Sequence, residues 1–109
     1  MKDYFIPFKP YGEDNFVEKR SKFTGRLWHV ETPEEATEKI KQMRETYWDA
    51  AHNCWAYILR DGNIMRYSDD GEPQGTAGMP ILEVLRHENL VDVCCVVTRY
   101  FGGILLGTG

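Results

Sequence analysis

Residues 68–78, SDDGEPQGTAG, carry the side chains of this chain that are best suited to chemistry. The segment combines three carboxylates, three glycines, a proline and a threonine. A loop that only joins two elements needs one or two turn residues. This density predicts a backbone shaped to approach a ligand closely, with acids held beside it.

A second glycine-rich segment, residues 98–109, follows the most apolar run of the chain, and the two segments together predict an anion-binding nest. Backbone N–H groups at a helix start carry partial positive charge, and glycines let a phosphate or carboxylate come close. The expected ligand- or phosphate-binding residues are Gly71, Gly75, Thr76, Gly78, Arg99, Gly102 and Gly103.

The acids of the first segment would repel a bare anion, and two arrangements resolve this conflict. In one, they hold Mg²⁺ that bridges to phosphate oxygens. In the other, they pair with Arg66 and Arg99 as a structural network. His52 is a general base if it lies beside the acids, and otherwise a hydrogen-bonded core histidine. The candidate catalytic residues are His52, Asp69, Asp70 and Glu72, and the three acids are also the candidate metal ligands.

The composition narrows the class of protein. With 109 residues and 42% hydrophobic residues, the chain is expected to form one globular domain. The net charge of -4 excludes a wholly basic nucleic-acid binder, so any RNA contact must come from a local positive stripe. No apolar run reaches the ~20 residues of a membrane span. The odd set Cys54, Cys94 and Cys95 predicts buried, reduced thiols and a cytoplasmic location.

Residues 16–30 read as one long strand whose period of two gathers cations on a single face. Two interpretations stay open: a solvated sheet surface, or a stripe that contacts phosphates while a tryptophan stacks on a base. The residues of this predicted nucleic-acid surface are Arg20, Lys22, Arg26 and Trp28.

Hydrophobic periodicity predicts the elements that must position these residues. We expect an edge strand at 4–8, a helix that Thr32 caps and that runs to Tyr47, a hairpin of strands at 54–60 and 64–67, and a second helix at 79–88. Residues 91–101 must form the central strand. The expected fold is α+β, a two-layer sandwich of one mixed β-sheet with two helices.

Four blocks of sequence, RSKFTG, DAAHNCWAY, YSDDGEPQGTAGMPIL and VVTRYFGGILLGTG, resemble the amino-terminal domain of the YigZ/IMPACT family. The match runs from about Val17 to the end of the chain. The resemblance implies a fold shared with domain IV of elongation factor G and the ribonuclease P protein. It also implies translational control, as in eukaryotic relatives, and brings no established reaction. We expect residues 1–109 to be a single IMPACT-type domain that is truncated at its carboxyl end and lacks a ferredoxin-like second domain.

Two functions follow as hypotheses. The first is a non-enzymatic module without a cofactor that binds ribosome-associated RNA or protein through the basic strand and the glycine-rich loops. The alternative is a metal-dependent hydrolase or phosphoryl-transfer enzyme that uses the acidic loop, His52 and Mg²⁺. The first is favoured because the acids outnumber any evident nucleophile.

Overall fold

The computed structural model describes residues 11–18 and 20–101, which form five strands and two helices. In chain order these are β1 (Tyr11–Glu18), β2 (Ser21–His29), α1 (Pro33–Thr46), β3 (His52–Leu59), β4 (Ile64–Ser68), α2 (Gly78–His87) and β5 (Val93–Tyr100). The strands form one sheet in the order β1-β2-β5-β3-β4. The α+β class is confirmed, and so is the central position of β5.

Two details of the predicted sandwich differ. Every neighbouring strand pair is antiparallel, so the sheet is not mixed. β2 and β3 do run in the same direction, but β5 lies between them and pairs with both. The two helices also lie on opposite faces of the sheet, which makes three layers rather than two. A local hydrophobic pattern predicts neither the order of the strands in the sheet nor the face of the sheet that a helix covers.

The first hairpin corrects the predicted long strand at 16–30. The chain reverses between β1 and β2, and Arg20 in this turn has a left-handed backbone with φ 69°. Arginine, unlike glycine, asparagine or aspartate, is not a residue type that signals a left-handed turn in a sequence. The predicted strand at 4–8 lies outside the described residues.

The start of α1 is as predicted. Thr32 has an extended backbone, and its Oγ1 accepts a hydrogen bond from the Glu35 amide at 3.1 Å. The Glu35 carboxylate accepts in return from the amide of Glu31, one residue earlier than in the standard capping box. This local pairing stabilises the first turn of a helix whose Ala36 and Ile40 are buried.

The core consists of two clusters, one on each face of the sheet. Under α1 lie Trp28, Tyr57 and Val96, and under α2 lie Ala56 and Ile58. Successive residues of β5 point to opposite faces, so this strand contributes to both clusters. Within the described ranges, no helix combines the length and the hydropathy needed to cross a bilayer.

Candidate functional site

The carboxylate of Asp69 occupies the amino-terminal end of α2. Its Oδ1 accepts hydrogen bonds from the amides of Ala77 at 3.1 Å and Gly78 at 2.7 Å, and its Oδ2 accepts from Gly75 at 2.8 Å. The residue that precedes the helix, Ala77, has no side-chain cap of its own. Asp69 therefore caps α2 from nine positions away in the chain and satisfies three amides that would otherwise lack partners.

The predicted anion nest is formed, but this aspartate fills it. Gly75 and Gly78 do direct their amides at a negative charge, as expected for a helix start. The Thr76 hydroxyl instead donates to the Pro73 carbonyl at 2.5 Å. The conflict between acids and a bound anion is resolved in two ways. Asp69 is itself the anion, which the sequence did not suggest, and Glu72 pairs with Arg99, as in the second of the two expected arrangements.

The glycines of the loop are required for different reasons. Gly71 and Gly75 have φ of 91° and 78°, in the left-handed region that other residues avoid. Gly78 has ordinary φ, but a Cβ there would lie 2.5 Å from the Ser68 carbonyl oxygen. The start of α2 therefore packs directly on the end of β4.

Asp70 joins the loop to the start of β3. Its Oδ2 accepts from the Asn53 amide at 2.6 Å, and its Oδ1 lies 3.6 Å from Arg44 Nη2. The Asp70 carbonyl accepts from His52 Nδ1 at 2.7 Å, while Nε2 of this histidine lies 3.6 Å from Glu72 Oε1. His52 therefore lies beside the acids as predicted, yet its Nδ1–H donates to the backbone of the loop.

Arg99 joins the loop to the end of β5. Its Nη1 lies 2.8 Å and 3.0 Å from the two carboxylate oxygens of Glu72, and its Nε donates to Ser21 Oγ at 3.2 Å. The guanidinium also lies 4.4 Å from the ring centre of Phe101. The two glycine-rich segments thus meet at Arg99 and Glu72. The predicted residues Gly102 and Gly103 lie outside the described residues.

The predicted partner Arg66 is not part of this network. It donates instead to the carbonyl of its neighbour Met65. Of the two arginines expected to neutralise the acidic loop, the structure uses Arg99, and it adds Arg44, which the sequence did not single out.

The predicted basic stripe is not a continuous exposed surface. Arg26 and Trp28 do lie on the same face of β2, as their spacing predicts. However, each is only 8% exposed, because this is the face that α1 covers. Arg26 donates to the Tyr47 hydroxyl at 2.9 Å and pairs with Glu13 at 3.3 Å. Trp28 belongs to the core and presents no face for base stacking. Lys22 and Arg20 remain exposed.

A buried polar network connects β3 and β5 at the site. Thr98 Oγ1 donates to Asn53 Oδ1 at 2.7 Å, and Asn53 Nδ2 donates to the Tyr47 carbonyl at 3.1 Å. Sequence reasoning did not single out Asn53 or Thr98. A usable signal existed, because a polar residue inside an apolar strand must find a hydrogen-bond partner.

The described residues do not gather a metal site. Among residues 11–18 and 20–101, no group of three His, Cys, Asp or Glu side chains is placed to hold an ion. Burial, with a smaller contribution from the nearby acids, raises the pKa of Cys54 to about 12. Burial likewise raises the pKa of Cys94 to about 12 and that of Cys95 to about 11. These thiols stay protonated at neutral pH and are poor nucleophiles.

The cap predicts a pH dependence of stability. Hydrogen bonds from the amides of Gly75, Gly78 and Ala77 hold the pKa of Asp69 below its ordinary value. Because the folded pKa is depressed, the stabilisation is present above the unfolded pKa, about 3.9, and is lost as pH falls through the folded pKa. We expect the difference in melting temperature between wild type and Asp69→Asn to be largest near neutral pH and to shrink below about pH 4.

Thermal melts followed by circular dichroism check this expectation. Asp61→Asn, an exposed aspartate in the turn between β3 and β4, is the control and should melt like wild type at every pH. A difference for Asp69→Asn that stays constant or grows as pH falls would contradict the cap.

The chain is similar in sequence to a known protein family. The sequence model of the Impact N-terminal domain family matches residues 19–109. IMPACT family member YvyE of Bacillus subtilis is 47% identical over 106 residues, which cover 96% of this chain and 49% of that protein. IMPACT family member YigZ of Escherichia coli is 38% identical over 112 residues, which cover 100% of this chain and 54% of that protein. The chain therefore spans about half the length of these curated relatives.

Two solved structures share the fold. One, described as a hypothetical protein, has a TM-score of 0.82 at 38% identity and covers 95% of this chain and 52% of its own. The other is the two-domain translational regulator Yih1, with a TM-score of 0.69 at 27% identity over 89% of this chain and 40% of its own.

Proposed function

This chain belongs to the Impact N-terminal domain family, and from that premise we propose that it is a non-enzymatic binding module of a translational regulator. One observation carries the proposal: the acidic loop is occupied by bonds within the protein. Asp69 caps α2, Glu72 pairs with Arg99, and His52 donates to the Asp70 carbonyl. Side chains that bond within the protein in this way stabilise the shape of the surface and are not available to activate a substrate.

The regulatory part of the proposal draws support from relatives. A structural neighbour, the two-domain protein Yih1, is named a translational regulator. Because the chain spans about half of the bacterial relatives, the activity and the partners of a whole protein are part of what is proposed. We propose ribosome-associated RNA or protein as the partner and the cytoplasm as the location.

The contact surface that we propose lies at the end of the sheet where β2 begins. Arg20 and Lys22 are exposed there, and Lys22 pairs in register with Tyr100. The Tyr100 hydroxyl donates to Asp49 at 2.8 Å, which brings the neighbouring Trp48, 79% exposed, to the same end of the molecule. Two cations and an exposed aromatic ring form a surface that suits contact with phosphates and stacking on a base.

Sedimentation of the 109-residue chain with ribosomes over a series of salt concentrations tests the proposal. We expect binding that weakens with salt, and Lys22→Gln should make the slope of log K against log salt less steep by about 0.7 to 0.9, the value of one phosphate contact. Lys41→Gln, an exposed lysine of α1, is the matched control and should keep the wild-type slope.

Three results of this experiment bear on different parts of the proposal. An unchanged slope for Lys22→Gln with binding retained would remove RNA and leave protein as the partner. No sedimentation with ribosomes at low salt would contradict the proposed module. A Mg²⁺-dependent hydrolysis that is abolished by Asp70→Asn would favour the enzymatic alternative instead.

A further inference from the structure

The face of the sheet that carries α2 has an apolar groove beside this helix. α2 packs on β3 and β4. Over the other half of this face lies a groove of about 560 Å³, lined mostly by apolar side chains. One wall is the stacked pair Phe16 and Phe23, with ring centres 4.8 Å apart, and the other wall includes Ile81 and Val84 of α2.

The floor of the groove is the surface of the sheet itself. Val97 of β5 lines it, and Gly25 of β2 lies next to Val97 in the strand register. Among the described residues, a Cβ on Gly25 would come within 4 Å of Val97 alone. Because Phe16 is 51% exposed and Val84 is 60% exposed on the walls, the groove is a contiguous apolar surface of the kind that a partner usually covers.

The strands under the groove already use their backbone groups within the sheet. β2 pairs with β1 on one side and with β5 on the other, and β5 also pairs with β3. An extended peptide laid on this face would therefore find no partners for its own N–H and C=O groups. A helix satisfies these groups internally and can present an apolar stripe to the groove. The occupant that fits is thus a helix beside α2, in the same layer.

The β1 rim of the groove is acidic. Asp14, Phe16 and Glu18 alternate along β1 and so share one face of the sheet. Asp14 pairs in register with Gly25, which places it across β2 from Val97. Among the described residues, the ion pair that β1 forms does not involve Asp14 or Glu18. Both residues are exposed, so their carboxylates are available to cations of an occupant.

The α2 rim of the groove carries the same sign of charge. Glu88 follows Val84 by one helical turn, and its amide donates to the Val84 carbonyl at 3.0 Å. It therefore continues the row of α2 side chains that borders the groove. The His87 ring, 3.5 Å from the Glu88 carboxylate, offsets this charge only when it is protonated. Arg99, the cation among the described lining residues, is paired with Glu72 at 2.8 Å. An occupant thus meets apolar side chains in the middle and acids on both flanks.

We propose that this groove docks a helix of a partner protein whose apolar stripe is flanked on both sides by lysine or arginine. A second copy of this chain is disfavoured, because a two-fold contact would place the same acidic rims against each other. The inference goes beyond the proposed ribosome contact. Lys22 alternates with Trp28 onto the face that α1 covers, and the groove lies on the opposite face.

Methyl nuclear magnetic resonance of the 109-residue chain tests the proposal. The probe is a synthetic peptide of leucine and lysine, about four helical turns long, with its leucines at helical spacing. We expect saturable shifts of the Ile81, Val84 and Val97 methyl signals and none of Ile40, which packs under α1. A peptide in which glutamate replaces every lysine should bind at least about tenfold more weakly, because its charges face the acidic rims.

Variants of the chain locate the bound peptide. Val84→Ser should raise the dissociation constant of the lysine peptide about tenfold, since it removes apolar surface from a wall of the groove. Val17→Ser is the matched control, because Val17 is 68% exposed but points to the opposite face from Phe16. Asp14→Asn should raise the dissociation constant about threefold, and Asp61→Asn, in the turn between β3 and β4, should leave it unchanged.

The proposal fails if the lysine peptide does not bind, or if both peptides bind equally well. An unchanged dissociation constant for Val84→Ser would place the peptide elsewhere and overturn it too. Groove signals that shift when the peptide-free chain is diluted would assign the groove to a second copy. Nuclear Overhauser cross-peaks from Val84 and Val97 to residues outside the described ranges, undisturbed by the peptide, would assign it to this chain itself.

Discussion

Replacing Gly78 with alanine should lower the free energy of unfolding by about 3 kcal/mol. The added Cβ would lie 2.5 Å from the carbonyl oxygen of Ser68, 2.6 Å from its carbonyl carbon and 2.8 Å from Tyr67 Cδ2. Two of these three atoms belong to the backbone, so no side-chain rotation relieves the overlap. The start of α2 must move away from β4, and this movement also pulls its amides away from the Asp69 carboxylate.

Urea denaturation followed by far-ultraviolet circular dichroism measures this effect. Gly12→Ala is the matched control, because a Cβ on Gly12 in the edge strand β1 would meet nothing within 4 Å. This control should keep the wild-type midpoint. A Gly78→Ala variant as stable as wild type would show that α2 does not rest on the end of β4 as described.

Arg99→Met should destabilise the fold by about 2 kcal/mol, since it leaves the Glu72 carboxylate without its cation in a half-enclosed site. The Glu72 side chain is 13% exposed and that of Arg99 is 25% exposed, so solvent screens this pair only in part. A double-mutant cycle with Glu72→Gln isolates the pair, and we expect a coupling energy of about 1 to 2 kcal/mol.

The chain offers a matched pair for comparison. Arg86 and Glu83 on α2 lie 3.4 Å apart but are 52% and 57% exposed. The same substitutions there, Arg86→Met and Glu83→Gln, should give a coupling energy of about 0.5 kcal/mol or less. Equal coupling energies for the two pairs would mean that Arg99 and Glu72 do not join β5 to the acidic loop.

Much of the fold could be predicted because its signals are local. Thr32 and the acidic residue three positions later mark a helix start whatever the rest of the chain does. The apolar run of β5 needs burial on both faces, which only a central strand provides. The turn at Arg20 was missed because its left-handed backbone is imposed by the hairpin and not by the residue type.

The sequence predicted that some of these residues lie close together, but it missed Arg44, Asn53 and Thr98, which join the same network. The acids, His52 and Arg99 do meet, as the glycine-rich loops indicated. That Asp69 caps a helix nine positions later depends on the path of the loop, for which no spacing rule exists. Likewise, the alternation of residues in β2 places Arg26 and Trp28 on one face correctly, but only the position of α1 decides that this face is buried.

Scalar coupling across hydrogen bonds, from the amide nitrogens of Gly75 and Gly78 to the Asp69 carboxyl carbon, tests directly whether this carboxylate fills the anion site of α2. We expect both couplings to be detected and to stay unchanged when millimolar Mg²⁺ or phosphate is added, because Asp69 already accepts hydrogen bonds from both amides. Couplings that are absent, or that vanish on addition of either ion, would show that the loop releases Asp69 to bind a ligand.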